Sequence, residues 1–410
     1  MDSEQATTAQ AAETRAEFTG NGSDFFDIVW RGGLLQLPTF GFYRFWFITQ
    51  ARRYLWSHTR LGEDSLEYTG TAKQILLGFL IAVGILIPIY LGYFLIGLEA
   101  EQAQAFASLP LVLVFYALFQ YASYRARRYR LTHTSFRGLR FTMGGSGWAY
   151  AARAFGWDLL TFITLGLALP WRAAALERYC MSHTAFGNLQ GRFEATGGQL
   201  FKRAWGLWLL CVGSFLLLIA GSGASIYSAM MQAGGGKATL PPGAALIPAL
   251  TFLLFALYGL VVWPLFKAVQ LRWRIGGWRI GDVAFASDLH KGPIVGAYFK
   301  GALAIFLLSL LFALAVGVYG WALGPTMTEL NVGQVALSFF AGAAAIYLLF
   351  LVCCNMVLSR FVTYNVWASV AASATLSGLA ALEAAAASSM AADQMGDGIA
   401  DAFDFGGIGI

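Results

Sequence analysis

Apolar residues along this chain gather in runs longer than a globular core requires. Six runs, about 75–98, 103–124, 204–228, 245–266, 301–323 and 335–357, hold no Lys, Arg, Asp or Glu in their central stretches. A bilayer core of about 30 Å is crossed by roughly 20 apolar residues in helix. Helix is required because lipid offers no partner to a backbone N–H or C=O. The pattern therefore predicts six transmembrane helices. Two further apolar stretches, 25–46 and 148–171, differ. The first is broken at Pro38-Thr39-Phe40-Gly41 and carries Arg31 and Arg44. The second is broken at Thr164-Leu165-Gly166 and Pro170 and carries Arg153 and Asp158.

Charge between the runs orients the chain. Segments 49–74, 125–147, 172–203 and 267–300 are rich in Lys and Arg, whereas those near 99–102, 229–244 and 324–334 hold Lys237 alone beside Glu99, Glu101 and Glu329. Basic loops stay on the cytoplasmic side. Because 125–147 and 172–203 are both basic, 148–171 should begin and end on one side. It reads as a re-entrant or interfacial helical hairpin turning near Gly166. The competing reading is an ordinary kinked transmembrane helix with one mis-sided loop. The same treatment of 25–46 places both termini in the cytoplasm. Breaks at Pro38, Gly41, Gly166 and Pro170 leave backbone groups that lipid cannot satisfy, so the two hairpins are expected to pack near each other under protein cover.

The chain also repeats itself. Phe18-Thr19-Gly20-Asn21-Gly22-Ser23 matches Phe141-Thr142-Met143-Gly144-Gly145-Ser146, and Thr39-Phe40-Gly41 matches Thr164-Leu165-Gly166. A sharper motif, R-Y-x-x-[ST]-H-T, occurs at Arg53-Tyr54 to His58-Thr59, Arg128-Tyr129 to His133-Thr134, and Arg178-Tyr179 to His183-Thr184. A worn fourth copy starts at Arg272-Trp273, and a fifth, weaker still, at Arg360. Each clear copy precedes a Gly and a short alternating stretch such as Leu139-Arg140-Phe141-Thr142. Such stretches read as strands, and four or five of them pair into a small cytoplasmic sheet. Arg and Tyr at a helix end suit the membrane interface. Two other readings stay open: a site shared by His58, His133 and His183, as three imidazoles bind zinc, and lipid phosphate held by the Arg residues.

Composition narrows the field. Of 410 residues, 58% are hydrophobic and 12% charged, against roughly 25% charged in soluble domains. Cys180, Cys211, Cys353 and Cys354 show no C-x-x-C spacing and read as small apolar filler. No H-E-x-x-H, G-x-S-x-G or P-loop occurs, so neither enzyme nor cofactor nor nucleic-acid partner is indicated. The expected fold is an all-α polytopic membrane protein, with six transmembrane helices, two helical hairpins and a small strand sheet. Its parts are a disordered start (1–17), repeat unit 1 (18–74), two helices with a basic loop (75–140), repeat unit 2 (141–203), four helices (204–370) and an Ala/Gly/Asp-rich tail (371–410).

The stretches "LPTFGFYRFWFITQARRYLWSHTRLGEDSLEYTG", "FITLGLALPWRAAALERYCMSHTAFGNLQGRFEATGG" and "IGDVAFASDLHKG" resemble the YjgN-like bacterial inner-membrane family, a domain family of unknown function. The resemblance covers about 18–370 and is most specific in the two hairpin units. It departs at Phe45-Trp46, where the family often has Pro-Trp. It implies a bacterial inner membrane and no particular reaction. Because the six runs lack ionisable groups, the expected activity is passive transport or handling of a small amphiphile or lipid. A structural or partner-binding role is the alternative, and an enzyme the third reading. Arg31, Arg44 and Arg153 are the candidate contacts for anionic headgroups, with membrane lipids as partners.

Overall fold

Two-residue turns set the architecture. Gly62, Gly138, Gly187 and Gly281 all hold φ between +55° and +79°, and each lies in a two-residue link between short strands. Positive φ matches such links to the twist of the strands they join. The computed structural model, which describes residues 13–99, 104–233, 246–323, 332–383 and 385, thus has four hairpins. They are β2 Thr59–Leu61 with β3 Asp64–Tyr68, β4 Thr134–Phe136 with β5 Leu139–Met143, β6 Thr184–Phe186 with β7 Leu189–Phe193, and β8 Trp278–Ile280 with β9 Val283–Ser287. A fifth pair joins strands remote in sequence: β1 Glu13–Phe18 lies antiparallel to β10 Ala374–Ser377, Glu13 opposite Ser377.

All ten strands close into one antiparallel barrel, in the order β1-β10-β9-β8-β7-β6-β5-β4-β3-β2. Closure removes the unpaired edges on which sheets aggregate. Alternation along the strands points Ala16, Phe136, Phe186, Ile280 and Leu376 into a buried core, while Arg60, Glu67, Arg140 and Arg192 face outward. Apolar side chains therefore fill the barrel. A further short helix, α13 Leu379–Glu383, adds Leu382 to that core and lays Leu379 against the Gly62 turn. At three to six residues, the strands fall short of the roughly nine to eleven that a membrane-crossing strand needs.

Between successive strand pairs the chain rises as a pair of helices. They are α1 Gly22–Gln36 with α2 Arg44–Ser57, α3 Ala72–Glu99 with α4 Gln104–Thr132, and α5 Gly147–Ile163 with α6 Leu169–Ser182. Next come α7 Gly197–Ala233 with α8 Leu246–Leu257 and α9 Trp263–Gly277, then α10 Lys291–Leu323 with α11 Val332–Val357 and α12 Tyr364–Ser373. A π-helical turn joins α8 to α9 at Tyr258–Val262, and another joins α11 to α12 at Leu358–Thr363. Capping starts several helices. Asn21 Oδ1 accepts from Ser23 N, Ser146 Oγ from Ala149 N, and Gln74 and Gln199 reach back to the N–H of Thr71 and Thr196.

Three expectations are corrected. The fold is not all-α with a small open sheet: the segments after each His-Thr alternate with strands that begin at the Thr itself, and all ten form a closed barrel. Strands this short show too little alternation to be read singly, and closure depends on pairing residue 13 with residue 377. Among the described residues four helices, not six, are long and apolar enough to cross a membrane: Ala72–Leu95, Gly197–Leu217, Lys291–Ala322 and Phe340–Ser373. The run at 103–124 leads into Gln120, Tyr121 and Tyr124 and then four Arg of α4, and both it and the run at 245–266 begin outside the described residues, at 103 and 245. Finally, the two broken units are not neighbours. The first packs against α3 and α11, the second against α4 and α7.

Residues 13–17, expected to be disordered, form most of β1, and the expected tail supplies β10 and α13. The remaining ends, 1–12 and 386–410, lie outside the described residues.

Candidate functional site

The repeated motif turns out to be helix-ending hardware. His58, His133 and His183 each set Nδ1 2.7–2.9 Å from the carbonyl of the motif Tyr four residues back. Thr59, Thr134 and Thr184 each donate Oγ1 to the carbonyl four residues back, at 2.7–2.9 Å. These bonds take up carbonyls that a helix end leaves without partners. Each Tyr ring stacks on its His, with centroids 4.1–4.4 Å apart. The Tyr hydroxyls then fasten the helix end to the start of its partner helix. Tyr54 bonds the N–H and C=O of Asn21, Tyr179 those of Ser146, and Tyr129 donates to Gln74.

The fourth copy does the same through Trp273, whose indole N–H donates to Thr196 O at 3.0 Å. The three histidines thus stand at the ends of three different helices, each engaged locally. Arg53 and Arg178 are exposed and Arg128 half-buried; Arg53 donates to Gly70 O. A fifth copy at Arg360 is corrected: Arg360 lies inside a π turn, and the slot preceding β10 is Ala368 to Ala374, which has no Arg, Tyr or His.

The two breaks share one geometry. Phe40-Gly41 have φ of 49° and 86°, Leu165-Gly166 of 50° and 84°. Gly41 N donates to Gln36 O and Gly166 N to Thr161 O. Thr39 and Thr164 each donate a hydroxyl to the carbonyl four residues back and accept from the N–H four residues on. These bonds satisfy much of each turn's backbone locally, and Leu165 O of the second turn is taken by the Trp208 indole N–H of α7. The tips are apolar: Phe40 is 91% exposed and Phe162 82%. Pro38 lies within the first turn, and Pro170 occupies the first turn of α6, where a missing N–H costs nothing.

The charged groups of these units do not converge. Arg31 is exposed on α1 and Arg44 half-buried at the start of α2. Arg153 bonds Ala149 O and covers the Tyr179 ring, 4.4 Å from its centroid. Asp158 is held by Arg172 on α6, at 2.5 Å and 2.9 Å, and by the Tyr116 hydroxyl on α4.

Sequence reasoning missed a second ionic group. Glu177, 5% exposed, takes both terminal nitrogens of Arg127 at 2.7 Å, the Trp278 indole N–H at 2.8 Å and Arg274 at 3.5 Å. Burial alone would raise the carboxyl pKa, but the two guanidinium groups and their hydrogen bonds hold it at about 2. Beside it, burial pushes the Cys180 thiol up to about 11. A signal existed: the residue before Arg-Tyr is Arg52, Arg127 and then Glu177, a charge reversal at one slot. Arg52, at that slot in the first copy, is fully buried and donates to the Tyr68 hydroxyl.

One cavity stands out. About 400 Å³ in volume, it lies among the Leu165-Gly166 turn, the first turn of α6, α7 from Phe201 to Phe215, and the π turn with the start of α9. Among the described residues, none that lines it carries a charged side chain. Its α7 wall falls inside the candidate membrane span Gly197–Leu217. Trp208 ties that wall to the turn, its indole N–H 3.0 Å from Leu165 O. At Tyr258 and Trp263 the rim is about half exposed on the outer, apolar surface of the helices.

The profile of the bacterial protein family of unknown function DUF898 matches residues 13–402, barrel and helices together. The chain belongs to this family. It is the YjgN-like family that the sequence resembles. Curated proteins and solved structures give no match. The DUF898 match spans the first barrel strand and the last, so both ends of the ring fall within it.

Proposed function

We propose that this DUF898 protein is a bacterial inner-membrane protein that passively takes up a small amphiphile or lipid from the side, through the cavity beside the second broken unit. The observation that carries the reading is the cavity's place: an uncharged space walled by a candidate membrane span and open on the apolar surface. The filled barrel core supports a lateral route over an axial one, since the ring's interior is occupied by side chains. In this reading the barrel faces the cytoplasm, where the excess of Arg and Lys lies, and the two broken units are half-inserted hairpins. Their exposed apolar tips and the hydrogen bonds within and onto their turns favour that placement. Anionic lipids border Arg31, Arg44 and Arg153.

The test uses nanodiscs whose lipids carry brominated acyl chains. Entry of a chain quenches Trp208 and Trp263, and Val212→Phe, which fills the cavity, relieves that share of the quenching. Equal quenching in wild type and variant defeats the reading. Changing Arg31, Arg44 and Arg153 to Gln should lower preference for anionic over neutral liposomes; an unchanged preference removes the headgroup role.

A further inference from the structure

A chain that passes from bilayer into an apolar cavity gains no hydrophobic free energy, because lipid tails are as apolar as the wall. What distinguishes one occupant from another must be shape and the few polar groups present. Two features of the cavity set these. Among the described residues, six aromatic side chains line it: Phe201, Trp208, Phe215, Tyr258, Trp263 and Phe266. Flat rings favour flat ligands through offset and edge contacts. Of the polar groups, the Trp208 indole N–H is engaged by Leu165 O. The Tyr258 hydroxyl has no hydrogen-bond partner among the described residues. It projects from the π-helical turn Tyr258–Val262, a distortion frequent at functional sites.

Charge excludes the main alternative. A phosphate or carboxylate headgroup inside this space would need a cation, since a charge in the membrane interior costs at least about 2.5–3.5 kcal/mol. The described lining has none, and Arg172, two residues beyond Pro170, is held by Asp158.

We infer that the cavity binds a neutral, membrane-dissolved molecule with a flat carbonyl-bearing ring, the chemical class of the lipophilic quinones, its ring among the aromatic side chains and one carbonyl accepting from Tyr258. The inference rests on the proposed lateral uptake and specifies its ligand. The volume of about 400 Å³ suits one ring and the start of its tail, within the range of roughly 300–1,000 Å³ usual for small-molecule sites.

Decyl-ubiquinone is the probe, titrated into the full-length protein in nanodiscs while tryptophan fluorescence is followed. Saturable quenching is expected. Tyr258→Phe, which keeps the ring and removes the donor, should raise the apparent Kd at least fivefold, and Val212→Phe should abolish the saturable phase. Quenching that rises linearly, as for simple partition, overturns the inference, as does an equal Kd in Tyr258→Phe. Brominated lipids separate the two readings. If their chains enter while the quinone does not saturate, only the ring-bearing ligand is wrong; if neither enters, lateral uptake fails as well.

Discussion

Glu177 and Arg127 face each other through two parallel hydrogen bonds of 2.7 Å, between the second and third helical pairs. Arg274 and Trp278 bring the fourth pair and its strand to the same carboxylate. Removing one side of such a pair leaves the other charge buried and costs about 3–5 kcal/mol. Glu177→Gln should therefore lower the midpoint of thermal unfolding in detergent more than any exposed carboxylate change, with Glu63→Gln as the control. An equal effect of the two variants would show that Glu177 does not hold the units together.

The same carboxyl sets a pH window. Its folded pKa of about 2 lies below an unfolded value of about 4.3. The stability it contributes is complete above about pH 5 and is lost as pH falls towards 2. Unfolding midpoints measured from pH 7 down to pH 2.5 should fall more steeply in wild type than in Glu177→Gln. Parallel curves would contradict the assignment.

Tyr54→Phe and Tyr179→Phe each delete a hydroxyl that bonds both backbone groups of a helix-start residue. Each should cost about 1–2 kcal/mol at the usual value of a hydrogen bond, and amide exchange should quicken first at Asn21 and Ser146. Exchange that quickens only at the barrel strands would place the role of the hydroxyl elsewhere.

Gly41 and Gly166 hold φ of 86° and 84°, where a β-branched side chain is strained by about 1–3 kcal/mol. Gly41→Val and Gly166→Val should destabilise similarly, but only Gly166→Val, on the wall of the cavity, should alter quenching by brominated lipids. A change of equal size in both would uncouple the turn from the cavity.

How far the sequence reached can be judged from particular residues. The equal spacing of Asn21 and Ser146, Gly41 and Gly166, and His58 and His183, 125 positions in each case, marks two matching units, and their turns have matching geometry. The motif also located helix ends, because capping is local: Tyr, His and Thr act on carbonyls four residues away. The barrel was hidden because its determinants are remote. Thr134 pairs with Tyr68, and Thr14 with Leu376, contacts that no periodicity encodes. The cavity was hidden for a different reason. Its walls are residues that already suit lipid, so Phe215 and Tyr258 look the same in sequence whether they face a bilayer or a ligand.

The pairing of β1 with β10 has a consequence for biosynthesis. The first strand leaves the ribosome before every helix described, and its partner only after α1 to α12. Until then β1 and, once made, β9 present open backbone to the surroundings. Assembly is therefore a clasp snapped shut at the end: insertion of the helices in order must hold four hairpins in a nearly complete arc, ready for residues 374–377 to join the two ends.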